Sequence, residues 1–452
     1  MEPPEELNIR LPWSRSERPI PRLLLRPLRR FLEVEAASGV LLLLAAAVAL
    51  IWANSPWKDS YAALWHTQVG LAVGDWSIGM DLSHWVSEGL MAVFFFVVGL
   101  EVKREFATGE LRNPRAAALP VVAALGGMLV PAAIYLALNA GGPGSRGWGI
   151  PMATDIAFSL GVLTIAGRRL PGSLKAFLLT LAIADDIGAI AVIAIFYTDT
   201  IAMAPLAAAV ALLVVFAALY RLGVRATLVF VAVGAGVWLC TYEAGIHATI
   251  AGAALGMLVP ARSFQRPRAV SEEAERIADQ TEDDPEPPDA DAPQWLRLAE
   301  LSREAVSPLV RAETVLHPWS SFVIVPLFAL SAAGVTLEPG AVGDSLTGSV
   351  GLGILLGLVL GKTVGITAGA WIAVRMGGAL PEGVRWPHVV ATGLTAGIGF
   401  TVALFITDLA FPDSGLEDAA KVAILVASLV AGLGGGLALW RLGRREPVPE
   451  AG

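Results

Sequence analysis

The chain has 452 residues, 55% of them hydrophobic and only 16% charged, with a mean hydropathy of +0.65. A soluble globular chain carries roughly a quarter charged residues, so this composition excludes one and indicates a polytopic membrane protein. The net charge of −8 owes much to one acidic stretch, and the single cysteine, Cys240, excludes an internal disulfide and any cysteine-based zinc site.

Residues 1–35 form a basic segment with arginines at 10, 15, 18, 22, 26, 29 and 30. No small-residue cleavage site follows, so the first apolar run is expected to stay as a helix. Apolar runs of spanning length, or nearly so, fall at 36–53, 84–101, 116–138, 149–166, 173–197, 202–220, 226–241, 245–259, 318–335, 348–374, 388–408 and 418–440. These predict about twelve transmembrane helices: eight over 36–259 and four over 318–440, with a tail at 441–452. Of the 32 lysines and arginines, all but Lys58, Arg146, Lys421 and the intramembrane Lys362 fall on one side of that arrangement. Positive-inside bias therefore puts both termini in the cytoplasm, as an even number of spans requires.

Two connections stand out. Residues 67–81 alternate partly in apolar character around Gly74-Asp75, which reads as a small periplasmic β-hairpin whose edge invites a second copy of the chain. Residues 260–317 form a hydrophilic connection, and within it 272–304 is rich in proline and acid, including Glu272, Glu273, Asp283, Asp284, Asp289 and Asp291. Such a composition is that of a solvated, flexible cytoplasmic loop.

Four charges lie at membrane depth. Asp185 and Asp186 are adjacent in the middle of the fifth run, where each ionised carboxylate costs about 2.5–3.5 kcal/mol. Asp155 sits in the fourth run beside Pro151 and Thr154, and Lys362 near the centre of the tenth. The eleventh run contains Gly393, Gly397 and Gly399, which favour a broken helix. The interrupted fourth and eleventh runs each come second in a group of three (3–5 and 10–12), the pattern of inverted repeats around a midplane site. Broken helices expose dipole ends, and Asp155 and Lys362 have the signs to offset them. One neighbour cannot satisfy both members of the aspartate pair, since they point 100° apart, so the pair has capacity for a cation or protons.

Several stretches then carry a family resemblance: FFFVVGLEVKREFATGEL at 94–111, ATDIAFSLGVL at 153–163, LAIADDIGAIAVIAIFYT at 181–198, GIHATIAG at 245–252, LHPW at 316–319, PLFALSAAGV at 326–335 and AGIGFTVALFI at 396–406. In this order, over nearly the whole chain, they resemble the NhaA-type Na⁺/H⁺ antiporters. That family is itself a standard example of the inverted-repeat arrangement, so the repeat is not an independent expectation. The resemblance implies twelve helices with crossed breaks in the fourth and eleventh, a bacterial inner membrane, and export of Na⁺ or Li⁺ for H⁺, two protons per sodium. It makes Asp186 a direct cation and proton ligand and Asp185 either a second proton carrier or the partner of Lys362. Thr154 and Asp155 would lie close by. Glu101, Arg104, Glu105, Glu313 and His317 would belong to a cytoplasmic access funnel and pH-sensing region. His247, at the start of the eighth run, has a titration range suited to sensing. Glu88, counted with the same pH-sensing group, stands where an aspartate is expected, and Thr314 where a second histidine is frequent.

Elementary chemistry points the same way. A hard monovalent cation prefers oxygen ligands, and a carboxylate binds it only when deprotonated. The same oxygens then hold protons or sodium, and exchange is expected to fail at acid pH, so that activity rises as the medium turns alkaline. An intramembrane aspartyl protease would need its acids on facing helices, commonly with a G-x-G-D motif, absent here. A channel usually forms its pore from repeated subunits, which leaves a sodium-coupled symporter as the nearest alternative. No nucleotide-binding motif appears, and neither a cofactor nor a nucleic-acid partner is expected.

Overall fold

The computed structural model describes residues 35–74, 76–167, 169–198, 200–282, 292–337, 341–412 and 415–444. The basic segment up to residue 34, Asp75 of the expected hairpin turn, the acids between 283 and 291 and the tail beyond 444 lie outside the described residues.

Helix α1 (Glu35–Ala53) turns through 117° near Pro56 into short α2 (Lys58–Trp65). Strands β1 (Gln68–Val73) and β2 (Trp76–Asp81) pair antiparallel, from Gln68 opposite Asp81 to Val73 opposite Trp76. Gly74 takes φ +64° at the turn, a conformation open to glycine. Asp81 then caps α3 (Leu82–Thr108) by accepting the His84 N–H at 2.8 Å. After α4 (Pro114–Asn139) comes a 3₁₀ segment, Pro143–Met152, which bends by 43° into α5 (Ile156–Ala166). Then follow α6 (Gly172–Phe196), α7 (Met203–Arg221), α8 (Thr227–Glu243) and α9 (Ala248–Leu258). Beyond α10 (Pro267–Glu282) and α11 (Ala292–Ala305) run α12 (Pro308–Ala332), α13 (Ala341–Thr347) and α14 (Ser349–Arg375). Helix α15 (Trp386–Thr395) bends by 49° into α16 (Phe400–Ala410), and α17 (Leu416–Gly443) closes the bundle.

Among the described residues seven helices are long and apolar enough to cross a bilayer, or ten if each bent pair is one span. This is a multi-pass helical membrane protein with a small antiparallel sheet. The expected seventh and eighth spans are helices of 17 and 11 residues, short of the ~20 needed for a straight crossing. Side chains such as Leu228, Ile195 and Leu129, 80%, 69% and 66% exposed, form the apolar outer surface that lipid requires.

The acidic connection is more ordered than its composition indicates. Helices α10 and α11 occupy much of it, because Val270, Ala274 and Ile277 recur at helical spacing; Ile277 and Leu298 are buried. The Glu304 carboxylate, ion-paired with Arg225, ties α11 to the α7–α8 connection. Helix α12 starts at Pro308, well before the apolar run, so Glu313 and His317 sit on its first turns.

Small residues let the site-bearing helices approach closely. A Cβ on Gly126 of α4 would collide with the Gly365 carbonyl of α14, and one on Gly99 of α3 with the Ala253 carbonyl of α9. Helix α14 also carries a π-helical turn, Gly357–Gly361, directly before Lys362.

Candidate functional site

The two broken helices bond to each other at their breaks. From the fourth run, Thr154 Oγ1 donates to Ala396 O at 2.9 Å, Asp155 N to Ile398 O at 2.7 Å and Ser159 Oγ to Thr395 O at 3.1 Å. These donors reach carbonyls at and just past the end of α15, where the break interrupts the helical ladder. In return the Asp155 carboxylate accepts the Phe158 N–H at 2.9 Å, the Thr401 N–H at 3.2 Å and the Thr401 hydroxyl at 2.7 Å. One acid thus caps the positive ends of both α5 and α16. The glycines of the eleventh run act through close approach: a Cβ on Gly397 would collide with the Leu358 carbonyl.

The adjacent aspartates on α6 part company. Asp185, 1% exposed, accepts a 2.6 Å hydrogen bond on Oδ2 from Lys362 Nζ, itself wholly buried. The Lys362 ammonium thus takes a carboxylate partner. Asp186, 5% exposed, instead lines a cavity of about 560 Å³ together with Thr154, Asp155 and Thr401. Neither Asp185 nor Lys362 lines it.

Four of the five expected funnel residues share that cavity: Glu101 and Arg104 from α3, Glu313 and His317 from α12. Arg104 forms an ion pair with Glu313, bridging the two helices. Glu105 is placed differently, closing the end of α3 by accepting the Glu110 N–H at 2.8 Å and the Thr180 hydroxyl at 3.2 Å. Glu88 and His247 form a separate cluster outside the cavity lining. His247 Nδ1 lies 3.0 Å from Glu88 Oε1 and its Nε2 3.1 Å from the Tyr197 carbonyl, while Glu88 Oε2 accepts the Ala248 N–H at 2.8 Å and caps α9.

Two features escaped the sequence reading. Thr401 gives Asp155 two of its three donors; its place just past the glycine break was the available signal. Asp408 pairs with Lys421 at 3.1 Å, and Lys421 with Glu417 at 2.6 Å, linking α16 to α17. Nothing local to Asp408 announces that partner.

Two broken helices that bond to one another around buried carboxylates and a lysine make the arrangement of a membrane transporter. Residues 29–439 match the family model described as Na⁺/H⁺ antiporter 1. The chain is 47% identical over 430 residues to the Na⁺/H⁺ antiporter NhaA of Rhodopirellula baltica, covering 92% of this chain and 94% of that one. It is 46% identical over 425 residues to the Na⁺/H⁺ antiporter NhaA 2 of Sorangium cellulosum, covering 93% and 91%. The solved structure of the sodium proton antiporter MjNhaP1 from Methanocaldococcus jannaschii aligns over 93% of this chain and 99% of its own at 11% identity, with a TM-score of 0.48. The chain belongs to the Na⁺/H⁺ antiporter 1 family. The relatives' names give no support to the symporter alternative.

Proposed function

We propose that this protein exports Na⁺ or Li⁺ across the bacterial inner membrane in exchange for H⁺, with Asp186 as the direct ligand and Thr154 and Asp155 beside it. The supporting observation is the division of the aspartate pair: Asp186 shares a cavity with Asp155 and Thr154, while Asp185 is held by Lys362. A hard cation entering that cavity is bound by Asp186 only once the carboxylate has lost its proton, so binding one expels the other. Asp185, released from Lys362 when protonated, supplies the second proton of an electrogenic 2:1 exchange. Activity rises toward alkaline pH because protons outcompete sodium in acid.

The order of three helices with a break in the second, met twice, is the basis for reading inverted repeats that alternate access around the breaks. Positive-inside bias supports cytoplasmic termini. The open edges of β1 and β2 make the hairpin the proposed contact of a homodimer.

The test is Na⁺-driven pH change in proteoliposomes. Asp186→Asn is expected to abolish it, and retained exchange overturns the site assignment. The reversal potential gives the stoichiometry.

A further inference from the structure

A cation that leaves water for the cavity must replace the oxygens of its hydration shell. Asp186 offers its carboxylate there, and Thr154 and Thr401 offer the lone pairs left once their protons go to Ala396 O and to Asp155. The Asp155 oxygens already accept three hydrogen bonds. Hard cations take several oxygen ligands, and the number of ligands helps decide which ion is preferred. These four residues all belong to the two groups of three spans. A further wall of the cavity is α12, the ninth run, and it carries another oxygen.

Ser320 of α12 lines the cavity and is only 3% exposed. A helical hydroxyl ordinarily donates to the carbonyl four residues back, as Thr314 on the same helix does at 2.7 Å. The Ser320 hydroxyl makes no hydrogen bond among the described residues. Ser320 also opens a π-helical turn, Ser320–Ile324, a widening of the kind that recurs at functional positions. A buried hydroxyl left unbonded is costly, and one on a cavity wall is free to take a ligand.

Contacts with α3 fix its depth. Val98 and Val102 of α3 form a buried cluster with Ile183 of α6, one turn before Asp186, so Asp186 lies within a turn of Val98. Helix α12 runs antiparallel to α3: its last turns, Val325–Ala332, pack on Trp85–Leu90, while Glu313 near its start pairs with Arg104. Two turns on from Glu313 is Ser320, and two turns back from Arg104 is Val97, itself a cavity residue. Asp186 and Ser320 therefore stand at one depth, on different walls of one cavity.

We propose that the Ser320 hydroxyl is a ligand of the transported cation, supplied by α12 to the site that holds Asp186. The proposal rests on the reading of that site as one for Na⁺ or Li⁺. The hydroxyl oxygen turns a lone pair to the ion and keeps its proton, so its share of the binding does not depend on pH. Because α12 stands outside the two groups that carry the broken helices, the ligand is lost when those groups move against it, which loosens the ion for release.

Ser320→Ala deletes the oxygen at almost constant volume, and Ser320→Thr keeps it. Na⁺/H⁺ and Li⁺/H⁺ exchange are measured in proteoliposomes, with KM and maximal rate taken separately at several pH values. Ser320→Ala is expected to raise the KM for Na⁺ roughly threefold to tenfold, by the same factor at each pH, with the maximal rate retained. The KM for Li⁺, a smaller ion served by fewer oxygens, rises less. Ser320→Thr returns both toward wild type. An unchanged KM for Na⁺ in the alanine variant overturns the assignment. So does a fall in maximal rate alone, which reports packing, or a threonine variant no better than alanine. Wild-type protein that moves no protons in response to Na⁺ overturns the antiport reading, and this ligand with it.

Discussion

Lys362 Nζ reaches from α14 to Asp185 Oδ2 on α6 at 2.6 Å, while Asp186, the next residue along, faces the cavity. Helical geometry forces the division, since neighbouring side chains point 100° apart. Removing one partner of a buried pair leaves an uncompensated charge, so Lys362→Ala is expected to lower stability by about 3–5 kcal/mol. The double variant Asp185→Asn with Lys362→Gln recovers most of that and exchanges one proton fewer per Na⁺. Thermal unfolding in detergent and the reversal potential check the two halves. A single variant as stable as wild type contradicts the pairing.

Thr401 supplies two of the three donors that hold Asp155. Thr401→Val removes the shorter of them, a hydrogen bond to a charged group worth about 1.5–3 kcal/mol. The KM for Na⁺ is expected to rise about tenfold, as the carboxylate loses its fixed position. An unchanged KM means that Asp155 is held well enough by the backbone alone.

At Gly397 an added Cβ meets the Leu358 carbonyl, just ahead of the turn that carries Lys362. Gly397→Ala is expected to destabilise the protein by about 1–3 kcal/mol through overpacking. Gly415→Ala, where a Cβ meets nothing within 4 Å, serves as the control and leaves the melting temperature unmoved.

The Arg104–Glu313 pair puts a guanidinium on the cavity wall, one turn from His317. Arg104→Ala takes a positive charge from that wall, which favours proton retention by the groups around it. The pH–activity curve is expected to move toward alkaline pH, and more at low salt than at high salt. A curve that stays put at both ionic strengths removes the cluster from pH control.

Asp81 links the sheet to α3. Burial raises its carboxyl, but the His84 N–H and ring, with His66, outweigh that and hold it below its ordinary value of 3.8. A lowered value means stabilisation that is complete above the ordinary carboxylate range and lost as pH falls through the lowered one. Asp81→Ala is therefore expected to cost about 1 kcal/mol at neutral pH. As pH falls from about 4 through that lowered value, the wild-type and variant stabilities should converge, as unfolding scans against pH would show.

Hydropathy made the long apolar helices legible, since lipid demands apolar runs of fixed length whatever their neighbours. The fourth and eleventh breaks were legible for a similar reason: proline, threonine and glycine in an apolar run act on their own backbone. The acidic connection shows the limit of composition. Its average describes a solvated loop, while the spacing of Val270, Ala274 and Ile277 describes helix α10.

From the sequence alone came a membrane transporter with an aspartate pair at mid-membrane and two interrupted helices, because each of these is a local property of a segment. Only the tertiary structure decided which aspartate Lys362 holds, that Asp155 and Thr401 close both breaks at once, and that Arg104 belongs to Glu313 more than to its own helix. Those bonds join residues as far as 246 positions apart. Their partners follow from which helix faces meet in the bundle, a matter of packing that no local pattern of residues encodes.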